Sequence, residues 1–347
     1  MGILQDAPPS TFHAPLRVAA TRTPAPAPAR PDVSVCIVNW NCVELLRKCL
    51  RSIYLQKQGV TYEVVIVDNA STDGAAEMVA REFPQVALVR NGENVGFSKG
   101  NNQAAVIARG RYLFFLNNDT EITPNTLTEF VTFADRNPGV GMVGPKLRGA
   151  DGRSQIAYRT RPTIGALLHR ISILRWTGVF RGAYCRYRRS SFQPDGVRAV
   201  EVLMGAAVFL PRDVFEESGR WDERYRFGGE DLDLSTQVGR KREVVYFSQV
   251  EILHYGRVSS RANVSFSAPN VAIGYVHYFR KAGASRTTLF VYKALVTVDA
   301  PVQMGLKLIQ GAARRLRGKP EKATKSFLAA RGLWHFMTGE LASFWRA

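Results

Sequence analysis

Tyr112-Leu113-Phe114-Phe115-Leu116-Asn117-Asn118-Asp119 is the stretch that decides the fold. A half-exposed strand would alternate apolar and polar residues. This one is apolar throughout, which predicts a strand covered on both faces. It then stops on three polar residues. A carboxylate in that position can point into a cleft and hold a divalent cation through oxygen. Asn and Asp also favour turns, so an Asx turn explains the triplet equally well when it is taken alone.

Working upstream, the same pattern recurs. Val33-Ser34-Val35-Cys36-Ile37-Val38 predicts a strand ending at Asn39-Trp40-Asn41, and residues 43–56 carry Val43, Leu46, Leu50, Ile53 and Tyr54 at helical spacing. Glu63-Val64-Val65-Ile66-Val67 predicts a second strand, ending at Asp68-Asn69, with a capped helix expected over 71–83. Val86-Ala87-Leu88-Val89 predicts a third strand ending near Asn91, followed by a helix over 98–109. Apolar strands alternating with helices make an α/β fold with a parallel sheet covered on both faces. In such sheets ligands bind beyond the carboxyl ends of the strands, where Asn39, Asp68, Asn69, Asn94, Asn117 and Asp119 stand. The recurrence of polar groups at strand after strand favours a shared cleft over a set of unrelated turns.

Downstream, Thr123-Pro124 predicts a helix start, and Val140-Gly141-Met142-Val143 a short strand. Residues 148–198 show few periodic signals and read as a partly irregular insertion. Val200 to Leu210 is apolar again. Residues 212–218 predict a short helix, and Gly228-Gly229 precedes Glu230-Asp231-Leu232-Asp233-Leu234, which opens a helix to about Arg240. Val244-Val245-Tyr246-Phe247 predicts a late strand, with His254 just after it.

The chemistry gathers at two places besides Asp119. Glu230 and Asp231 start a helix, whose dipole favours an ionised carboxylate. A base that takes a proton from a hydroxyl needs that form at neutral pH. Two adjacent acids diverge on a helix, so one of them at most is the base; simple capping by acids is the plainer explanation. His254 could ligate a metal as a neutral imidazole, or be structural. No Gly-x-Gly-x-x-Gly follows the first strand, which disfavours a Rossmann dinucleotide site. Walker, nucleophile-elbow and His-Glu-x-x-His motifs are also missing, so kinase, hydrolase and zinc-protease readings lack anchors.

Charge and composition bound the rest. The net charge is +18 over 347 residues, and it is concentrated. Residues 148–198 hold eleven Arg against two Asp, and residues 280–347 hold thirteen Lys/Arg against three acids. Such segments favour polyanions: diphosphates, nucleic acid or an anionic membrane face. No nucleic-acid-binding motif organises the arginines, and the acidic strand ends would repel phosphates without a metal, so no nucleic acid is expected. Cys36, Cys42, Cys49 and Cys185 form neither CxxC pairs nor zinc spacing, which points to a reducing compartment. Residues 1–31 are Pro/Ala-rich and read as a disordered lead-in without a secretion signal. No stretch reaches about 18 uncharged apolar residues, so no clear membrane span is expected.

Val35 to Asn41, Val67-Asp68-Asn69-Ala70-Ser71-Thr72-Asp73, Asn94-Val95-Gly96-Phe97, Asn102, Leu116-Asn117-Asn118-Asp119 and Glu230-Asp231-Leu232-Asp233-Leu234 together resemble the family 2 glycosyltransferases, above all their bacterial rhamnosyltransferase-like branch. The resemblance implies a GT-A type fold over residues 32–285, with 148–198 as an Arg-rich insertion and 286–347 as a basic amphipathic helical region. It implies that Asn39 and Asp68 contact the nucleoside, with Asn69, Asn94, Gly96, Asn102, Asn117 and Asn118 lining the donor pocket. Asp119 would bind Mg2+ or Mn2+, aided by His254. Asp231 would be the general base, with Glu230 beside it. Two departures stand out. Asn117 replaces the first acid of the family's Asp-x-Asp, and Gly256-Arg257 replaces a glycine pair, leaving Arg257 to meet a diphosphate.

The implied reaction is inverting transfer from a dTDP- or UDP-sugar, dTDP-rhamnose first and UDP-galactofuranose next, to a lipid-linked glycan or polysaccharide. The apolar patches Leu289-Phe290-Val291, Leu333-Trp334-His335-Phe336 and Phe344-Trp345, set among cations, suggest peripheral contact with the anionic inner face of the cell membrane. A helical cap on the catalytic domain is the alternative. A catalytically dead carbohydrate-binding relative is a third possibility, and the presence of both Asp119 and Asp231 argues against it.

Overall fold

The computed structural model of the protein describes residues 30–56, 59–189, 192–256 and 264–347. The expected disorder of the lead-in and the expected role of Arg257 lie outside the described residues.

Seven elements come first: β1 (Val33–Asn39), α1 (Val43–Tyr54), β2 (Tyr62–Asp68), α2 (Ala75–Glu82), β3 (Ala87–Arg90), α3 (Phe97–Ile107) and β4 (Tyr112–Leu116). β1 pairs in parallel with β2 and β4, and β2 with β3. β4 is buried at all five positions, as its unbroken apolar run requires. This half of the sheet therefore runs β3-β2-β1-β4, with its polar strand ends along one edge.

α2 starts four residues later than the pattern suggests. Residues 71–74 are occupied in bracing the loop after β1 instead. Ser71 Oγ accepts from the Asn41 backbone N–H, Asn41 Oδ1 accepts from the Thr72 N–H, and Asp73 Oδ2 accepts from the Val43 N–H. Asp73 Oδ1 accepts from Ala75 N–H, so one carboxylate serves the first turns of both helices. Asn41 and Ala70 both take positive φ, at 48° and 56°. Backbone strain of that kind costs about 1–3 kcal/mol and is held here by the cross-braces.

The chain continues through β5 (Thr120–Ile122), α4 (Thr126–Arg136) and β6 (Val140–Arg148). The Arg-rich segment supplies β7 (Ser154–Gln155), β8 (Tyr158–Arg159), α5 (Ile164–Leu168), α6 (Ser172–Thr177), α7 (Arg181–Arg189) and β9 (Val197–Ala199). Next come β10 (Val202–Leu203), β11 (Ala207–Pro211), α8 (Arg212–Glu217), α9 (Glu230–Val238) and β12 (Glu243–His254). The sheet extends as β4-β11-β6-β12-β5. β11 is antiparallel to both neighbours, β6 and β12 are parallel, and β5 closes the edge antiparallel to β12. The architecture is of GT-A type, with helices flanking the sheet and a helical region at the C-terminus. β12 is much longer than its apolar core suggests, and it ends on His254 rather than before it. β5 is too short to give a periodic signal. It matters because its pairing Thr120↔His254 places the histidine beside Asp119.

The C-terminal helices are α10 (Val264–Lys281), α11 (Arg286–Leu316), α12 (Pro320–His335) and α13 (Leu341–Arg346). They share an apolar core with elements that precede them. Tyr225 and Leu232 pack with Val276 and Phe279 of α10, Leu289 of α11 and Phe344 of α13. Leu289, Phe336 and Phe344, expected on a membrane-facing patch, are buried in this core. Among the described residues one helix, α11, is long and apolar enough to cross a membrane, contrary to the expectation of no span by composition. The reason is that its few charges are spaced widely enough to leave an apolar window.

Candidate functional site

Two hydrogen-bonded groups line the strand ends. In the first, Asn39 donates both amide hydrogens, to Asp68 Oδ1 at 3.0 Å and to Ser71 Oγ at 3.1 Å. Its Oδ1 accepts from Asn118 Nδ2 at 2.7 Å. Asp68 Oδ2 takes the Ser71 N–H. Asn39 thus holds Asp68 and Asn118 in register, and the Asn39↔Asp68 strand pairing brings them together. In the second group, Asn69 Nδ2 donates to Asn94 Oδ1 and to the Gly96 carbonyl, both at 3.2 Å. Asn69 Oδ1 accepts from Asn91, which also bonds Gln103. Gly96 has φ +92°, and a Cβ there would lie 2.8 Å from the Arg226 carbonyl oxygen, so only glycine fits.

Asn102 stands apart from both groups. Its amide donates to the Trp221 carbonyl and to Glu223, and its oxygen accepts from the Trp221 N–H. It fixes the 221–223 turn. The cavity of about 660 Å³ that it lines with Trp221, Asp222 and Lys281 contains none of Asn39, Asp68, Asp119 or Asp231.

Asp119 is buried, and its Oδ1 lies 3.4 Å from His254 Nε2. The tautomer of His254 follows from Gln155. The Gln155 amide donates to the His254 carbonyl, which can only accept, so its oxygen faces His254 Nδ1 at 2.8 Å. Nδ1 therefore carries a hydrogen. In the neutral imidazole Nε2 then turns a lone pair towards the Asp119 carboxylate. A cation between them converts that repulsion into attraction, so these two residues fit a divalent ion. Among the described residues no third His, Cys, Asp or Glu joins them. Asn117 contributes backbone: its N–H reaches the Ala206 carbonyl at 2.9 Å.

Asp231 lies at the start of α9, behind Gly229 with φ +99°. Its carboxylate accepts from its neighbour's N–H, Leu232, and faces Arg159 Nη2 at 3.1 and 3.2 Å. Arg159 also donates to Tyr187 Oη, which shares a 2.8 Å hydrogen bond with Tyr275 Oη of α10. Burial works against the Arg159 charge, but Asp231 and then Tyr187 outweigh it and hold its pKa above the usual range. Glu230 is different. Among the described residues its Oε2 is enclosed without a partner, and burial followed by the Asp231 charge push its carboxyl up to about 8. That shift favours the protonated form, which can donate a hydrogen bond.

One segment joins the two halves. The Ala206 carbonyl holds Asn117, and a Cβ on Gly205 would lie only 3.3 Å from Asp231 Cβ. Asp231 and the Asn117–Asp119 strand end thus flank the same Gly205–Ala206 turn. Arg159 and Gln155 are the residues that sequence reasoning missed. Both come from the Arg-rich insertion, where no periodicity or spacing marks them out. Only the β8–β10 pairing of Arg159 with Val202 places its side chain at α9.

Residues 34–195 match the Glycosyl transferase family 2 model. These residues therefore carry a glycosyltransferase family 2 domain. It is 28% identical over 207 residues to an N-acetylglucosaminyl-diphospho-decaprenol L-rhamnosyltransferase of Mycobacterium tuberculosis, a match covering 55% of this chain and 66% of that protein. It is 30% identical over 247 residues to the O-antigen biosynthesis protein RfbC of Myxococcus xanthus, covering 69% of this chain and 18% of that protein. The chain therefore spans just under two thirds of the first relative and a small part of the second. Among solved structures, a mannosyltransferase from Pyrobaculum calidifontis in complex with GDP-Man and Mn2+ is 21% identical, with a TM-score of 0.49 over 88% of each chain.

Proposed function

We propose that this chain is an inverting glycosyltransferase of cell-surface glycan assembly. Its donor is a nucleotide-sugar, dTDP-rhamnose before UDP-galactofuranose or another UDP-sugar, and its acceptor is a lipid-linked glycan or a polysaccharide. The observation that carries the reading is the Gly205–Ala206 turn, with Asp231 on one side and the Asn117–Asp119 strand end on the other. A base and a diphosphate-holding group beside one turn are what a direct displacement needs. The rhamnosyl and lipid-linked choices draw their support from the name of the mycobacterial relative. A lipid-linked acceptor places the enzyme peripherally on the inner face of the cell membrane.

Asp68, held by Asn39, faces the nucleoside, and the Asn69–Asn94–Gly96 group shapes the wall beside it. Asp119 and His254 would hold Mg2+ or Mn2+, whose charge stabilises the departing diphosphate. Asp231 accepts the proton of the acceptor hydroxyl. The freed oxygen attacks the anomeric carbon from the face opposite the diphosphate. The new C–O bond forms as the bond to the diphosphate breaks, and the nucleoside diphosphate leaves with its electron pair. Arg159 keeps Asp231 oriented until the acceptor arrives, and protonated Glu230 offers a hydrogen bond beside it.

A donor panel tests this reading. Purified protein is incubated with dTDP- and UDP-sugars, with Mn2+ or with EDTA, and nucleoside diphosphate release is scored. Release from at least one donor is expected, and Asp119→Ala should lose the Mn2+-dependent part of donor binding. No release from any donor, or donor affinity unchanged by both EDTA and Asp119→Ala, would count against it.

A further inference from the structure

Of the C-terminal patches expected to face a membrane, folding buries Leu289, Phe336 and Phe344 and leaves Phe290, Val291 and Trp334 exposed. Val291 opens a longer face. On α11, Val291, Val298, Val302, Leu306, Ile309 and Leu316 are all exposed, between 45% and 89%. Their spacings of seven, four, four, three and seven residues put them on one side of an α-helix. The stripe is about 38 Å long at 1.5 Å per residue. The opposite side of α11, with Leu289, Tyr292, Asp299 and Ala300, is buried against the protein.

A second element widens the stripe. α6 of the Arg-rich insertion is fixed beside the middle of α11, because the Asp299 carboxylate accepts the Ser172 N–H at 3.0 and 3.1 Å. Gln303 Nε2 donates to the Arg170 carbonyl from the same side. α6 then presents Ile173 at 65% and Trp176 at 87% exposure. An exposed tryptophan next to an aliphatic stripe suits an interface that is apolar below and wet above.

Charge selects the occupant. No acidic residue occurs in 152–194 or in 300–320. Arg175 is exposed within α6, and exposed Arg315, Arg317 and Lys319 lie at the end of the stripe. An apolar face edged by cations without acids matches the headgroup region of an anionic bilayer. Spanning does not fit the same helix. Asp299 is bonded to α6, and buried Lys293 Nζ donates to the Trp345 carbonyl at 2.9 Å. Both attachments would break if α11 left the body of the protein to cross a membrane.

We infer that α11 and α6 together form an interfacial docking face that lies flat on an anionic lipid surface. This face is separate from the transfer reaction, and its test reads lipid binding instead of turnover. Full-length protein is floated with phosphatidylcholine vesicles with and without phosphatidylglycerol, alongside the variant Trp176→Ser/Val298→Ser/Ile309→Ser. Circular dichroism and thermal melting confirm that the variant is folded. The wild type is expected to bind only the anionic vesicles and to be released by high salt, and the variant to bind at least tenfold more weakly. Wild-type protein that fails to float, a folded variant that floats undiminished, or binding that resists high salt and carbonate would overturn the inference. So would sedimentation showing a wild-type dimer that the variant loses, since the stripe would then join two copies of the chain.

Discussion

Arg159 and Asp231 form the contact on which the site's geometry turns. Both are largely buried, and the pair is cross-linked to α10 through Tyr187 and Tyr275. Removing one member of such a pair leaves an uncompensated charge, which costs about 3–5 kcal/mol, whereas removing both costs much less. Arg159→Met is therefore expected to lower stability by about that amount, and Arg159→Met/Asp231→Asn to recover a good part of it. Denaturant melts of the two single variants and the double variant check this, and strict additivity would show that the pair is not coupled. Glu230 gives a pH signature. Its folded-state pKa of about 8 lies above the ordinary 4.5, so the folded protein binds the proton more tightly. The stabilisation is complete below about 4.5 and is lost as pH rises through about 8. Glu230→Gln should gain melting temperature over the wild type progressively from pH 5 to pH 9. A pH-independent difference would show that the carboxyl titrates normally. The sequence marked both acids but not their division of labour, because the partner Arg159 is 72 residues away and the enclosure of Glu230 arises only in the fold.

At the scale of elements, the local patterns carried far. β1, β2 and β4 bury nearly every position, so continuous apolar runs bounded by Asn and Asp revealed them. The misjudged boundaries share one cause: hydrogen-bonding groups committed to partners far away in the sequence. Asp73 and Ser71 brace the β1 loop and delay α2, and β12 runs on to His254 through pairing with β5 and β6. The approach of α10 to α9 is equally non-local. Gly274 lies so close that a Cβ would fall 2.1 Å from the Gly228 carbonyl oxygen, while Gly228 and Gly229 both hold positive φ. Gly274→Ala must push the two helices apart. Overpacking of this kind costs about 1–3 kcal/mol, and because Asp231 sits on the first turn of α9, turnover should fall along with stability. A variant with wild-type melting temperature and wild-type turnover would contradict so tight a contact.

Across the whole molecule, the Arg-rich insertion and the C-terminal helices act on the candidate site from outside the N-terminal strands. The insertion supplies Gln155 to His254 and Arg159 to Asp231. The C-terminal helices enclose the back of α9 through the apolar core they share with it. Their basic charge was plain in the composition. Its use was not, since the same arginines serve as buried partners at one position and as solvated cations at another. The division between Asp231 for the acceptor proton and Asp119 for the diphosphate is the central claim, and Asp231→Asn tests it most directly. Donor binding is measured by calorimetry and turnover by nucleoside diphosphate release on the same preparation. Loss of the base is expected to leave donor affinity unchanged and to cut turnover by about 10²–10⁴-fold. Turnover close to wild type in the folded variant would contradict that assignment.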